Sequence, residues 1–179
     1  MKLREVSSPT VQRFNILPET TCEILIELFE NNKDNTEYLN KSHKPCFTQL
    51  NVNEYASHVV KPLVDFTRQA YDEYCKPFKY LPEFKYVEQF RIKRYLPGGE
   101  ERFDEHVDVT SYDTSVRALA FLFYLNENDG QTVFPNHSLR FTPRTGDVIV
   151  FPPTWEYPHA GLPPTDNTKY ILSTYLHYG

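Results

Sequence analysis

The chain has 179 residues, of which 40% are apolar and 24% are charged. A chain of this length fits a single domain and buries about 70% of the surface that its unfolded form exposes. It therefore needs neither disulfides nor a structural metal in order to fold. The net charge of -5 and the scattered basic residues argue against nucleic acid or an anionic membrane as a standing partner.

The cysteines and the N-terminus indicate the compartment. Cys22, Cys46 and Cys75 are odd in number and lack a Cys-x-x-Cys spacing, which disfavours a disulfide framework or a zinc ribbon and suits a reducing cytosol. Residues 1–6 lack an apolar signal region, and the apolar stretch at 24–29 is interrupted by Glu27. We therefore expect a cytoplasmic protein with no signal peptide and no membrane span.

Helical spacing of apolar residues marks the first half of the chain. One helix is predicted over residues 18–31 and a second over residues 52–75. Pro62 lies inside the second pattern and predicts a break or kink there. The polar stretch at 31–44 is predicted to be a surface loop.

The second half has the alternation of β-strands, separated by Gly, Pro and Asn turns. The predicted strands are residues 85–95, 103–109, 116–125, 139–141, 147–151 and 168–178. Residues 116–125 are apolar on both faces, which is typical of a strand that is covered on both sides. The pattern predicts one α+β domain over residues 1–179, with mainly helical support at 1–83 and a β-sandwich or barrel at 84–179.

A possible metal site begins with His106-Val107-Asp108. Side chains alternate along a strand, so His106 and Asp108 point to the same face and could bind one ion. An imidazole and a carboxylate are two of the three ligands of the facial triad that suits Fe(II). The motif is short and arises about once by chance in this composition, so it needs further support.

His159 and Lys169 supply that support. His159 follows a strand and turn that would return the chain to the same end of a barrel, and Lys169 is the first charged residue of the last strand. A metal can chelate the 1-carboxylate and 2-oxo group of 2-oxoglutarate, and the distal 5-carboxylate then needs a fixed cation in its apolar slot. Three residues share the face of Lys169 and would form a pocket wall: Ile171, Ser173 and Tyr175.

His137 is the alternative third ligand, because it also follows a strand. Ten residues beyond it lies Asp147, whose carboxylate would repel the 5-carboxylate of 2-oxoglutarate. We therefore prefer His159.

The second half also resembles a known family, the prolyl 4-hydroxylase-like 2-oxoglutarate/iron oxygenases, from about residue 90 to 178. The similar motifs are Tyr-Leu-Pro-Gly-Gly at 95–99, His-Val-Asp at 106–108, the segment 117–126, Gly-Gln-Thr-Val-Phe-Pro at 130–135, Pro-Arg-Thr-Gly-Asp at 143–147, His-Ala-Gly-Leu-Pro at 159–163 and Lys-Tyr at 169–170. One departure is Asp129, which takes the place of the first of two adjacent glycines.

The resemblance implies a double-stranded β-helix, a distorted jelly roll, in a compact layout like that of microbial or viral members. It implies that the iron ligands are His106, Asp108 and His159. It makes Lys169 the anchor of the 2-oxoglutarate carboxylate, with Tyr124 and Tyr95 beside it. The cofactors expected are Fe(II), 2-oxoglutarate and O2, with ascorbate as an optional reductant.

The implied reaction converts 2-oxoglutarate to succinate and CO2 while a substrate C–H bond is hydroxylated. A prolyl residue in a peptide or protein is the first candidate substrate, and Tyr95, Tyr112 and Trp155 are predicted to form an aromatic rim for it. The loops at 110–115 and 126–131 are predicted to contact the substrate.

Several alternatives stay open. The substrate could be another peptidyl side chain, a free amino acid or a small metabolite. A zinc hydrolase could use the same three ligands, and a cupin-like binding module would have no activity. The oligomeric state is left undetermined.

Overall fold

A computed structural model describes residues 9–41 and 45–179. Its α-helices are α1 (Glu19–Asn31), α2 (Val52–Tyr55) and α3 (Val60–Cys75). Its strands are β1 (Gln12–Asn15), β2 (Glu37–Asn40), β3 (Cys46–Asn51), β4 (Arg91–Tyr95), β5 (Phe103–His106), β6 (Arg117–Tyr124), β7 (Thr132–Phe134), β8 (Leu139–Phe141), β9 (Asp147–Phe151), β10 (His159–Gly161) and β11 (Lys169–His177). The expectation for residues 1–6 and the part of the polar loop at 42–44 lie outside the described residues.

The first predicted helix is confirmed as α1, which buries one stripe of its surface through Cys22, Leu25 and Phe29. The second prediction was wrong about the break. The chain leaves the helix at Ala56, and α3 then begins at Val60 and continues through Pro62 without a break. Pro62 lies in the first helical turn, where the missing N–H has no partner to lose.

The strands form two antiparallel sheets. The large sheet has the order β1-β9-β6-β11-β4-β3-β2, and the small sheet has the order β5-β10-β7-β8. The six predicted strands are all present, although four of them are shorter than predicted.

The prediction of a loop over residues 31–44 was wrong in part. Glu37–Asn40 forms strand β2, which pairs with Cys46–Asn51 at the edge of the large sheet. The side chains of β2 are mostly exposed, so the strand has none of the apolar alternation that marks a half-buried strand. The division of one domain into helical support at 1–83 and a β core at 84–179 stays a prediction, and strands from the first part join the same sheet as β4 and β11.

The core has two layers, one on each face of the large sheet. On β6, Leu119, Phe121 and Phe123 pack with the helices, whereas Ala120 and Tyr124 face the small sheet. This two-sided burial confirms the interpretation of residues 116–125. The inner layer positions the functional residues, because the side chains that line it come from both sheets. No helix among the residues described is both long and apolar enough to cross a bilayer.

Candidate active site

The pairing of β5 with β10 brings two histidines together. His106 lies directly opposite His159 in the register, and Asp108 follows two residues after His106. The ligand atoms of His106, Asp108 and His159 all lie within 4.8 Å of one another. One carboxylate oxygen of Asp108 lies 3.5 Å from Nε2 of His106, and the other lies 3.6 Å from Nε2 of His159. The three residues therefore converge on one point, as the sequence predicted.

Hydrogen bonds on the outer side of each ligand hold this geometry. Nδ1 of His106 lies 2.8 Å from the carbonyl oxygen of Asp104, and Nδ1 of His159 lies 3.2 Å from that of Tyr157. A carbonyl can only accept, so each ring donates from Nδ1 and leaves Nε2 free for a metal. The hydroxyl of Tyr175 donates to Oδ1 of Asp108 at 2.8 Å.

The electrostatics of the cluster also suit a cation. Burial raises the pKa of the Asp108 carboxyl, but His159, His106 and the hydrogen bond from Tyr175 outweigh burial and hold that pKa well below its usual range. Burial lowers the pKa of His159 to about 4, so its imidazole is neutral at pH 7 and able to coordinate. Asp108 is therefore an anion beside the neutral ring of His159.

One atom of the cluster is left without a partner. Oδ2 of Asp108 is buried and accepts no hydrogen bond from the described residues. A buried carboxylate oxygen is almost always satisfied, because leaving it unpaired is costly. Two imidazoles and one carboxylate form the donor set of the facial triad, so the residues present fit Fe(II).

Lys169 lies in the same pocket as the cluster. It is 1% exposed, and its Nζ donates to the carbonyl oxygen of Gly130 at 2.5 Å and lies 5.2 Å from the ring centre of Tyr95. Burial lowers the pKa of Lys169 to about 7, and Asp129 opposes this effect only as a longer-range charge. Lys169 forms no ion pair within the part of the chain that the structure describes, so its charge is available to an anion.

The other predicted cofactor residues surround Lys169 in different ways. Tyr95 lies opposite Lys169 in the β4–β11 register, and Ser173 and Tyr175 line the pocket from β11. Tyr124 is fully buried and donates to Oγ1 of Thr132 at 2.7 Å, and Thr132 in turn lines the pocket. Tyr124 therefore does not line the pocket itself but contacts a residue that does.

The positions of the side chains decide two further predictions, the alternative third ligand and the aromatic rim. His137 does not join the metal cluster, because its ring stacks on Tyr157 and its Nε2 lies 3.1 Å from the carbonyl oxygen of Glu156. The prediction of Tyr95 as a rim aromatic was wrong, since Tyr95 is buried in the pocket wall. Tyr112 and Trp155 are exposed, as a rim would require.

Sequence reasoning missed the two residues beside His106. Phe103 stacks on the His106 ring with the ring centres 3.5 Å apart, and Lys93 lines the pocket from β4. Lys93 shares a face with Tyr95, two residues along the same strand. The alternation that placed Asp108 with His106 could therefore have found Lys93 from Tyr95.

Arg117 has structural partners. It donates two hydrogen bonds to the Glu88 carboxylate, at 2.6 and 2.9 Å, and a third to the carbonyl oxygen of Asp108 at 3.0 Å. Glu88 also lies 2.7 Å from Nε2 of His177. This network fixes the backbone of Asp108.

The hydrogen bond from Tyr175 provides a first prediction. Tyr175→Phe should weaken Fe(II) binding by about tenfold, because residues that orient a metal ligand typically contribute that much or more. Equilibrium dialysis under anaerobic conditions, with metal analysis, measures the affinity. Tyr112→Phe is the matched control, since that hydroxyl is exposed. An unchanged affinity in Tyr175→Phe would show that Asp108 is held by other contacts alone.

Comparison with known proteins begins with the family profile. Residues 90–177 match the 2OG-Fe(II) oxygenase superfamily. A protein of Acanthamoeba polyphaga mimivirus named "Putative prolyl 4-hydroxylase" is 28% identical over 90% of this chain and 71% of its own length. Bovine procollagen-lysine,2-oxoglutarate 5-dioxygenase 1 is 26% identical over 98% of this chain but only 25% of its own length.

Solved structures agree on the fold. The viral collagen prolyl hydroxylase of Paramecium Bursaria Chlorella virus-1, in complex with 2OG, has a TM-score of 0.72 at 18% identity, with 95% of this chain and 97% of that one covered. A prolyl hydroxylase of Trichoplax adhaerens, in complex with a hypoxia inducible factor peptide fragment, has a TM-score of 0.76 at 14% identity over 95% of this chain and 84% of that one. These likenesses confirm the double-stranded β-helix with supporting helices.

The fold and the site together define an oxygenase that uses a non-haem metal. Residues 90–177 are a 2OG-Fe(II) oxygenase domain, and the chain is similar to viral prolyl hydroxylases. The chain is a 2-oxoglutarate-dependent dioxygenase whose cofactors are Fe(II), 2-oxoglutarate and O2.

Proposed function

We propose that this chain hydroxylates a prolyl residue in a peptide or protein, with Fe(II) held by His106, Asp108 and His159 and with 2-oxoglutarate anchored on Lys169. One observation carries the assignment of the site. A facial set of candidate ligands lies in the same pocket as a buried lysine that has no ion pair among residues 9–41 and 45–179.

Lys169 and Tyr175 would have different roles in this reaction. The Lys169 ammonium pairs with the 5-carboxylate of 2-oxoglutarate, which restores a counter-charge to each group. Tyr175 holds one oxygen of Asp108 so that the other faces the metal position. When bound, Fe(II) would supply the activation of O2, which is the oxidant both for the decarboxylation of 2-oxoglutarate to succinate and CO2 and for the hydroxylation of a substrate C–H bond.

An open groove of about 500 Å³ leads to the metal ligands and offers a place for the substrate. It shares His106, Asp108 and Tyr175 with the inner pocket, so the two spaces adjoin each other at the proposed metal ligands. Thr110 and Thr114 of the predicted substrate loop line it. An extended peptide could therefore reach the metal from outside while 2-oxoglutarate occupies the inner pocket.

The second predicted substrate loop, residues 126–131, lies at the opposite end of the site. The carbonyl of Gly130 accepts from Lys169, and the Asp129 carboxylate accepts hydrogen bonds from Thr165 and from the backbone N–H of Asp166. This loop would therefore shape the 2-oxoglutarate end. Asp129, which departs from the family pattern, ties two loops together there.

Proline is the favoured target for two reasons. Both viral relatives and the peptide-bound relative carry prolyl hydroxylase names. The groove is also lined by Phe103, a half-buried ring that stacks on His106, and a proline ring packs well against aromatic faces. A peptide rich in proline also loses little conformational entropy when it binds in an extended form.

Lysine is the second candidate, because of the similarity to a procollagen-lysine dioxygenase. Arg91 and Lys93 both line the groove next to the metal ligands. Two cations in this position would repel the ammonium group of a substrate lysine. The charge of the groove therefore favours proline over lysine.

The test compares proline-rich peptides with matched peptides in which alanine replaces each proline. Incubation with Fe(II), 2-oxoglutarate and O2 should add one oxygen to a prolyl residue, as mapped by tandem mass spectrometry. Asp108→Ala is the inactive control. Oxidation that maps only to lysine, to other residues or to free amino acids would remove the prolyl assignment and leave the oxygenase assignment in place.

A further inference from the structure

Two neighbouring cations in the groove form no ion pair. Arg91 and Lys93 lie on the same face of β4, two residues apart, and both line the groove. Neither has a carboxylate at ion-pair distance in the stretches 9–41 and 45–179. Three arginines of the large sheet do have one: Arg13 with Asp147, Arg94 with Glu30, and Arg117 with Glu88.

The lack of a carboxylate partner for Arg91 and Lys93 indicates what this part of the groove could bind. Like charges on neighbouring side chains repel each other, and partial burial weakens the screening by water. The Glu88 carboxylate is already engaged by Arg117 and His177, and Asp104 is paired with Arg102. A binding site for an anion explains why two such charges are kept together at the mouth of the pocket.

The position of Lys93 is fixed by the rings beneath it. Its Nζ lies 5.3 Å from the ring centre of Phe47 and 5.8 Å from that of Phe103. Phe103 stacks in turn on the metal ligand His106. Contacts of a cation with aromatic faces are favourable, so the charge is held at a defined point between the groove and the metal ligands.

We propose that Arg91 and Lys93 bind the carboxylate of an Asp or Glu residue that neighbours the oxidised residue of a peptide substrate. This inference rests on the proposed function. Lys93 lines both the inner pocket and the groove, whereas Arg91 lines the groove and not the inner pocket. An extended chain advances about 3.3 Å per residue, and a single ring, Phe103, lies between Lys93 and His106, so a carboxylate held here belongs to a residue close in sequence to the target.

The rival anion is 2-oxoglutarate itself, because Lys93 also reaches the inner pocket. Two features favour the peptide. Lys169 already offers a buried cation for the 5-carboxylate, and Arg91 extends the positive charge outward along the groove, away from Lys169. If Lys93 instead bound 2-oxoglutarate, Arg91 would have no role, because Arg91 does not line the inner pocket.

The experiment uses the iron-loaded enzyme and two proline-containing peptides that differ only in an Asp or an Asn beside the target proline. The wild-type protein should show kcat/KM about tenfold or more in favour of the Asp peptide, which is the effect expected of a charge-assisted bond. Lys93→Met and Arg91→Met should each reduce this ratio to about threefold or less. Lys93→Arg should keep it, and Lys85→Met, an exposed lysine outside the groove, is the matched control.

Fluorescence anisotropy of labelled peptides measures the same ratio as an affinity, independently of turnover. Equal binding of the two peptides by the wild-type protein overturns the inference, as does an equal loss for both peptides in Lys93→Met. A raised 2-oxoglutarate requirement in Lys93→Met with the Asn peptide, at an unchanged peptide preference, would assign Lys93 to the cosubstrate. A preference for the Asp peptide, together with oxidation of a residue other than proline, would remove the prolyl assignment but support this inference.

Discussion

His159→Ala abolishes 2-oxoglutarate turnover if His159 is the third metal ligand. Removal of one imidazole leaves one imidazole and the Asp108 carboxylate, and two protein ligands hold Fe(II) poorly. The site also loses a ring that packs between Phe134 and Phe151. Succinate formation in the presence of excess Fe(II) measures the loss, which should exceed a hundredfold.

His137→Ala is the matched control for this experiment. His137 is the alternative third ligand on sequence grounds, but its ring stacks on Tyr157 away from the cluster. The His137→Ala variant should therefore keep 2-oxoglutarate turnover close to that of the wild-type protein. Substantial turnover in His159→Ala together with an inactive His137→Ala would show that the wrong histidine has been assigned. Circular dichroism of each variant separates a lost metal from a lost fold.

The ligand set was within reach of the sequence because strand geometry restricts it. His106 and Asp108 share a face through the alternation of side chains, whatever the rest of the fold does. Alternation alone could not place His159 beside them, because no local sequence pattern shows that β10 pairs with β5. The resemblance to the oxygenase family supplied that link, and the register of His159 opposite His106 agrees with it.

Features that depend on pairing between distant strands were beyond the sequence. The short strand β2 is polar and lies at a sheet edge, so only its pairing with β3 makes it a strand. The contact of Tyr175 with Asp108 joins residues 67 positions apart, and alternation placed Tyr175 on the pocket wall without showing its partner. Pro62 was misread for a similar reason, because its effect depends on where the helix begins.

Lys169→Met should raise the 2-oxoglutarate concentration needed for half-maximal turnover by about ten- to a hundredfold. Methionine keeps much of the length of the side chain but lacks the ammonium group. A charge-assisted hydrogen bond to a buried carboxylate contributes about 1.5–3 kcal/mol, which corresponds to that range. Lys169→Arg keeps the charge and should lose less. Succinate formation across a 2-oxoglutarate titration gives the values.

The pH dependence of the same titration tests the role of the charge. Burial lowers the pKa of Lys169 to about 7, so the free enzyme is increasingly neutral at this residue as the pH rises above 7. Binding the carboxylate requires the protonated form, and each pH unit above the pKa therefore weakens binding by up to about tenfold. Below pH 7 the lysine is already charged and the requirement should level off. Lys169→Met should lose this dependence, and a wild-type requirement that stays flat from pH 6 to 9 would place the 5-carboxylate on a cation that does not titrate in this range.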